Sequence, residues 1–168
     1  FDPDWRRFRK PIGREKSVSL VFYPHGNLVL CRNRIEEERK LRSRSAGLLE
    51  SVLSAWQSED YVPLFVSEGT KEQKIRSIRG SHYLSIVYRE VLPAPKYSIT
   101  IYGWDIGEHD VHILKRLYDP LLARVAVSVH ENDQAYCHKI HQLIMQEMRD
   151  DIEVVFFDSR SRSCWSNE

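Results

Sequence analysis

Apolar and polar residues alternate along the chain in blocks that predict strands separated by helices. Short apolar, β-branched and aromatic runs are typical of buried strands. They cover residues 17–23, 61–66, 97–102, 123–129 and 152–157. Apolar residues at helical spacing predict helices over 45–58, from 70 to about 80, over 83–91 and over 132–148. The alternation predicts an α/β fold with a mostly parallel sheet and helices on both faces.

Four segments depart from this alternation. A short strand over 28–31 follows the strand over 17–23 after a tight turn, so this pair is expected to be hairpin-like. We place all predicted elements in one domain over 1–158. Within this domain we expect a connecting segment over 1–16 and a charged insertion or polar helix over 32–44, and after it a polar tail over 159–168.

Composition narrows the function classes. Across 168 residues the formal net charge is +1, so a nucleic-acid partner is not expected. No apolar run approaches the 18 or so residues of a membrane helix, so no membrane partner is expected either. The cysteines are odd in number and far apart, which favours a reducing, cytoplasmic compartment. They are Cys31, Cys137 and Cys164.

The segment over 96–117 predicts a strand, a tight turn and a helix. Ligands of open α/β sheets bind at the carboxyl ends of strands, where this turn lies. We expect it to form one wall of a nucleotide-sized cleft, with the turn over 24–27 as the other wall. Gly103 would allow a ribose or phosphate to approach closely. However, Asp105 and Asp110 put negative charge near the start of the helix, which favours capping over phosphate binding.

His25 and Gly26 occupy the other turn. A histidine there could be exposed at the end of a strand and act as a general base near neutral pH. Gly26 would let a ligand or a backbone segment approach. The competing interpretation is a histidine that only hydrogen-bonds the turn.

A third strand-to-helix turn contains Ser67 and Glu68. Glu68 could accept a hydrogen bond from a ribose hydroxyl. The favoured alternative is a helix cap, with Thr70 as the N-cap and Gln73 three residues later.

No metal site is expected. His109 and His112 are three residues apart, as are His138 and His141, but neither pair has a convincing set of cysteines or carboxylates nearby.

Three blocks together resemble a known family. They are Val21–Leu28 with the His-Gly turn, Val62–Lys74, and Ile101–Leu114. The residues of these blocks and the order of the blocks resemble the bacterial sirtuin-like proteins, specifically the uncharacterised domain of unknown function 4917. The resemblance covers most of residues 17–130 and implies a Rossmann-like, three-layer nucleotide-binding domain.

What the resemblance implies for chemistry is NAD hydrolysis with release of nicotinamide. In sirtuin-like enzymes the histidine of the His-Gly turn is the base, and this role would pass to His25. Bacterial antiviral defence proteins of this type are often NAD hydrolases, and the paired zinc cysteines of deacylases are absent here. The implied cofactor-binding residues are Gly26, Ser67, Glu68, Gly103, Trp104, Asp105 and Asp110, with NAD as substrate or ligand and no metal.

The resemblance also has gaps. Relatives carry Gly-aromatic-Ser-Leu in the later turn, where this chain has Gly103-Trp104-Asp105-Ile106. Their glycine-rich first turn and asparagine–aspartate segment have no match in the 24 residues before His25. We therefore expect a domain that lacks its first strand–helix units, is inactive as this fragment, and needs a missing N-terminal region or a homo-oligomeric partner. The alternative is a non-catalytic nucleotide-sensing or protein-interaction domain.

Overall fold

The computed structural model describes residues 19–43, 45, 47–66, 69–162 and 164. The chain divides into two compact units, Phe1–Tyr88 and Arg89–Glu168. No helix in the described ranges is long and apolar enough to cross a membrane. The fold is mixed α/β, with one antiparallel and one parallel three-stranded sheet.

The described residues of the first unit form three strands and three helices. In chain order they are β1 (Gly26–Asn33), β2 (Glu38–Lys40), α1 (Leu48–Gln57), β3 (Tyr61–Phe65), α2 (Lys71–Arg79) and α3 (His82–Ile86), followed by a π-helical turn at Val87–Val91. The strands pair antiparallel in the order β2-β1-β3. The predicted parallel arrangement is therefore wrong for this half of the chain.

Two local predictions in this unit are corrected. Residues 19–23, the described part of the predicted first strand, form no strand, and β1 begins only at Gly26. The predicted charged insertion over 32–44 instead contains the end of β1 and all of β2. Asn33 organises the turn between them, because its side-chain oxygen accepts hydrogen bonds from the backbone N–H groups of Ile35 and Glu37 at 3.1 and 2.8 Å.

Two small cores stabilise the first unit. One joins β1, the residue after β2, and α1 through the buried side chains of Cys31, Leu41 and Val52. The other joins α2 and α3 to the residue after β3, through Val66, Ile78 and Leu84. Hydrophobic burial in both explains why the predicted helices over 45–58 and 70–80 form close to their expected bounds.

The second unit contains the parallel sheet. Its elements are β4 (Ser98–Ile101), a 3₁₀ turn (Glu108–Asp110), α4 (Val111–Arg116), β5 (Arg124–Val129), α5 (Gln134–Glu147) and β6 (Glu153–Asp158). The strand order is β4-β5-β6, and both pairs are parallel, as predicted for this half. Every second residue of β5 faces the core, beginning with Val125 and Val127.

One hydrophobic core serves both helices of the second unit. Leu114 from α4 and Ile140 from α5 are fully buried in the same cluster as Val125 and Val127. Parallel strands that follow one another in chain order, joined by right-handed crossovers, place successive helices on the same face of the sheet. The shared core agrees with that rule.

Candidate functional site

The His25 turn lies before a strand rather than after one. Gly26 donates its backbone N–H to the Tyr23 carbonyl at 3.0 Å, which closes the turn. The His25 carbonyl accepts from the backbone N–H of Val66 at 2.8 Å and so extends the pairing of β1 with β3. The imidazole is half-buried. The prediction that His25 lies at the carboxyl end of a strand is wrong, because the described apolar residues before it do not pair into a sheet.

Gly26 is required by the protein backbone itself. Its φ is +71°, in the left-handed region that favours glycine. A Cβ atom at this position would lie 1.9 Å from the carbonyl oxygen of Leu64 in β3. The close approach that the sequence predicts at Gly26 is therefore made by a neighbouring strand.

The turn after β3 caps a helix. The Thr70 hydroxyl accepts from the backbone N–H of Gln73 at 3.3 Å, and the Gln73 side chain accepts from the backbone N–H of Thr70 at 2.8 Å. This reciprocal pair is the capping box that the sequence predicts. Ser67 and Glu68 lie outside the described residues, so their predicted contact with a ribose stays a prediction.

Gly103 lies just past the carboxyl end of β4, as predicted. Its φ is +66°, and no heavy atom lies within 4 Å of the position that a Cβ would take. Its backbone N–H donates to the Ser128 hydroxyl on β5 at 3.0 Å. The turn is thus tied to the neighbouring strand while the space beside its α-carbon stays open.

Trp104 and Asp105 are held by α5. The Tyr136 hydroxyl donates to the Trp104 carbonyl at 2.7 Å. Burial and, after it, the charge of Asp105 raise the pKa of Tyr136, which therefore stays a protonated donor at neutral pH. The Lys139 ammonium lies 3.9 Å from the Asp105 carboxylate. Because both side chains are more than half exposed, this pair offsets the negative charge of Asp105 only in part.

Asp110 directly precedes α4 but does not cap it with its side chain. The preceding residues form a 3₁₀ turn that closes through the backbone N–H of Asp110 and the carbonyl of Gly107 at 2.9 Å. The predicted side-chain cap is wrong at this residue, because the backbone itself makes the turn.

A cavity of about 470 Å³ lies where β5 and β6 end, against one face of α5. Its polar side chains come from the loop after β5, from α5 and from the last residue of β6. Its lining consists of Val129, Asn132, Gln134, Cys137, His138, His141, Phe156, Phe157 and Asp158. This volume lies within the range of sites that bind small organic ligands.

Asp158 is the charged acceptor of this cavity. It ends β6 and pairs in register with Val129 of β5. The backbone N–H of Arg160 donates to its carboxylate at 2.8 Å, and this bond, with a weaker one from the Arg160 side chain, lowers the pKa of Asp158. Asp158 is therefore ionised at neutral pH.

Tyr102 connects the Gly103 turn to this cavity. Its ring stacks against Phe157 with centroids 6.3 Å apart, and its hydroxyl donates to the Ser159 carbonyl at 2.9 Å. The ends of β4, β5 and β6 thus form one continuous edge. Gly103, Trp104 and Asp105 lie along it, as the sequence predicts.

The sequence did not indicate the Asp158 cavity. In the sequence predictions His138 and His141 appear only as a pair with metal-ligand spacing, and Asp158 only as the last residue before a polar tail. A signal was present: Gln134, His138 and His141 share one helix face. Among the described residues, no group of three His, Cys, Asp or Glu side chains could hold a metal ion.

His25 and Gly103 belong to different compact units. Their predicted cleft therefore stays a prediction, and so does the assignment of His25 as a catalytic base.

A family model described as Domain of unknown function (DUF4917) matches residues 1–165. No curated protein and no solved structure matches the chain. The match bears out the family expected from the three sequence blocks, while the sirtuin-like part of that resemblance stays a proposal.

Proposed function

We propose that this chain, which belongs to the family described as Domain of unknown function (DUF4917), binds a nucleotide at the carboxyl edge of its parallel sheet. The observation that carries the proposal is the cavity beside Asp158, which opens where β5 and β6 end. Ligands of α/β sheets bind outside the carboxyl ends of the strands.

Asp158 suits the ribose of such a ligand. A carboxylate accepts at about four positions, so the two bonds from Arg160, which both reach Oδ1, leave acceptors for two vicinal hydroxyls. An acidic residue that accepts from ribose hydroxyls is a recurrent feature of dinucleotide sites. Phe156 and Phe157, which both line the cavity, supply apolar surface for a base.

Gly103 suits the phosphates at the same edge. The open space beside its α-carbon permits close approach, and Lys139 supplies positive charge near Asp105. The partial offset of the Asp105 charge weakens the repulsion that this residue would exert on a phosphate.

The finer form of the proposal is NAD hydrolysis in a cytoplasmic, Rossmann-like three-layer domain. His25 would take a proton from a ribose hydroxyl while the bond to nicotinamide breaks and water completes the hydrolysis. It is supported by the resemblance of the His25-Gly26 turn to the sirtuin-like motif. The test is nicotinamide release from NAD by the full-length gene product, with His25→Ala for comparison. An unchanged rate in that variant would remove His25 from the mechanism.

Binding is tested separately by calorimetric titration of NAD, ADP-ribose and ADP. We expect Asp158→Asn to weaken all three by about tenfold, the value of one charge-assisted hydrogen bond. Asp150→Asn is a matched control, because Asp150 is exposed and outside the cavity lining. Equal affinities for the two variants would refute the ribose contact.

The alternative function is nucleotide sensing or protein interaction without catalysis. The aspartate at position 105, where the sirtuin-like proteins that the chain resembles carry serine, supports it. Binding of ADP-ribose without any turnover of NAD by the full-length product would favour this alternative. If the full-length product neither binds these nucleotides nor turns over NAD, both forms of the nucleotide proposal are overturned.

A further inference from the structure

A second cavity, within the first unit, is lined by β2 and α1. Its volume is about 1020 Å³. Basic residues line it from the β2 side, serines from α1, and Tyr61 from the start of β3. The basic residues are Arg39, Lys40 and Arg42. Its basic residues belong to the segment over 32–44, which the sequence predicts to be a charged insertion or a polar helix.

Arg39 is positioned by an aromatic ring. Its guanidinium carbon lies 4.0 Å from the centroid of the Tyr61 ring. A cation–π contact uses the face of the guanidinium and leaves N–H donors at its edge for an oxyanion. Arginine recognises phosphate through two parallel N–H donors, which makes this geometry better suited to phosphate than a free surface lysine.

The facing wall is a row of hydroxyls on α1. Ser51 and Ser54 lie on one side of the helix, and Ser58 follows as its C-cap residue. Ser51 and Ser58 donate to the carbonyls of Gly47 and Ala55 at 2.7 and 3.0 Å. Within the described part of the chain the Ser54 hydroxyl makes no such bond, so it is the donor available to a ligand.

The charges in the lining define the ligand further. Three cations and two carboxylates, Glu50 and Asp60, give a net charge of +1. A bare anion would meet both carboxylates unfavourably. A phosphate attached to a hydroxyl-bearing group would place its charge on the arginines and its hydroxyls on the carboxylates.

We propose that this cavity binds a small hydroxylated phosphate ester, with Arg39 and Arg42 on the phosphate and Glu50 and Asp60 on the hydroxyls. This site is independent of the nucleotide site at the parallel sheet. It needs no residue outside the first unit.

The test is NMR titration of the ¹⁵N-labelled chain with ribose 5-phosphate and, separately, inorganic phosphate at constant ionic strength. We expect ribose 5-phosphate to shift amide signals over 39–42 and 51–61 and to bind more tightly than inorganic phosphate. Arg42→Gln should weaken binding of ribose 5-phosphate by about tenfold. Arg39→Gln is a second variant, and Arg79→Gln on α2 is the control with the same loss of charge.

Each outcome decides the proposal. If ribose 5-phosphate at up to about 10 mM shifts no amide signal, any binding is too weak for a functional site and the proposal is overturned. Equal loss of affinity in Arg42→Gln and Arg79→Gln would show general charge attraction and overturn the site. Equal affinities for the two ligands would overturn the role given to Glu50 and Asp60.

Discussion

Substitution of Gly26 by alanine should cost far more stability than its small size suggests. At φ +71° an L-residue costs about 1–2 kcal/mol more than glycine. In addition, the new Cβ would stand 1.9 Å from the Leu64 carbonyl oxygen, and a backbone atom cannot rotate away. Separation of the strands there would lose about two hydrogen bonds, including His25 to Val66, at about 0.5–1.5 kcal/mol each. The expected total is about 2–5 kcal/mol.

Gly103→Ala is the matched control for this prediction. Its φ is nearly the same at +66°, but no atom lies within 4 Å of the new Cβ, so only the conformational cost of about 1–2 kcal/mol applies. Urea unfolding followed by circular dichroism gives the stability change of each variant. Because the chain has two compact units, hydrogen exchange should localise each loss to its own unit. The reasoning fails if Gly26→Ala costs no more than Gly103→Ala.

Three further predictions concern side-chain hydrogen bonds. Thr70→Ala should destabilise α2 by about 1 kcal/mol through loss of its capping box, whereas Thr70→Ser should retain most of it in thermal unfolding. Tyr136→Phe should cost about 0.5–1.5 kcal/mol in urea unfolding and speed amide exchange near Trp104, because the hydroxyl holds that carbonyl; unchanged exchange would contradict this. The pKa of Asp158 is lower in the folded protein than in the unfolded chain, so its carboxylate stabilises the fold above about pH 4. This stabilisation is lost as the pH falls through the pKa of the folded state. The difference in free energy of unfolding between the wild type and Asp158→Asn should therefore become smaller when urea unfolding is repeated at decreasing pH. A difference that is constant with pH would refute this role.

The parallel half of the fold could be predicted because its local patterns agree with its tertiary contacts. The runs over 97–102, 123–129 and 152–157 are apolar enough to be central or half-buried strands. The helix between the last two has apolar residues at helical spacing, and Ile140 and Ile144 are indeed fully buried. The element bounds shift by only a residue or two, which is the usual uncertainty at element ends.

The antiparallel half could not be predicted from hydrophobic runs alone. β2 consists of Glu38, Arg39 and Lys40, and an edge strand can carry such charges because its pairing comes from the backbone. The turn that permits this pairing depends on Asn33 and on a positive φ at Glu36, neither of which changes the apolar pattern. Conversely, residues 19–23 are apolar but find no partner strand.

The candidate site shows the same division. Gly103 could be predicted because a glycine between a strand and a helix is a local feature. The Asp158 cavity could not, because it brings the end of β6 against α5, and that arrangement depends on tertiary packing. The role of Gly26 was likewise ambiguous, since only the structure identifies the approaching atom as the Leu64 carbonyl.

Strand order explains why the nucleotide is expected along the carboxyl edge, from the Gly103 turn to Asp158, rather than in a crevice between two strands. In doubly wound sheets the ligand crevice forms where strand order reverses, because helices then leave on opposite faces. Among the described residues, β4, β5 and β6 run in chain order without a reversal, and α4 and α5 share one core. The sheet therefore has no crevice of that kind within these strands. The cavity at the carboxyl edge lies instead where β5 and β6 end against α5, and Asp158 is the ionised acceptor at that place.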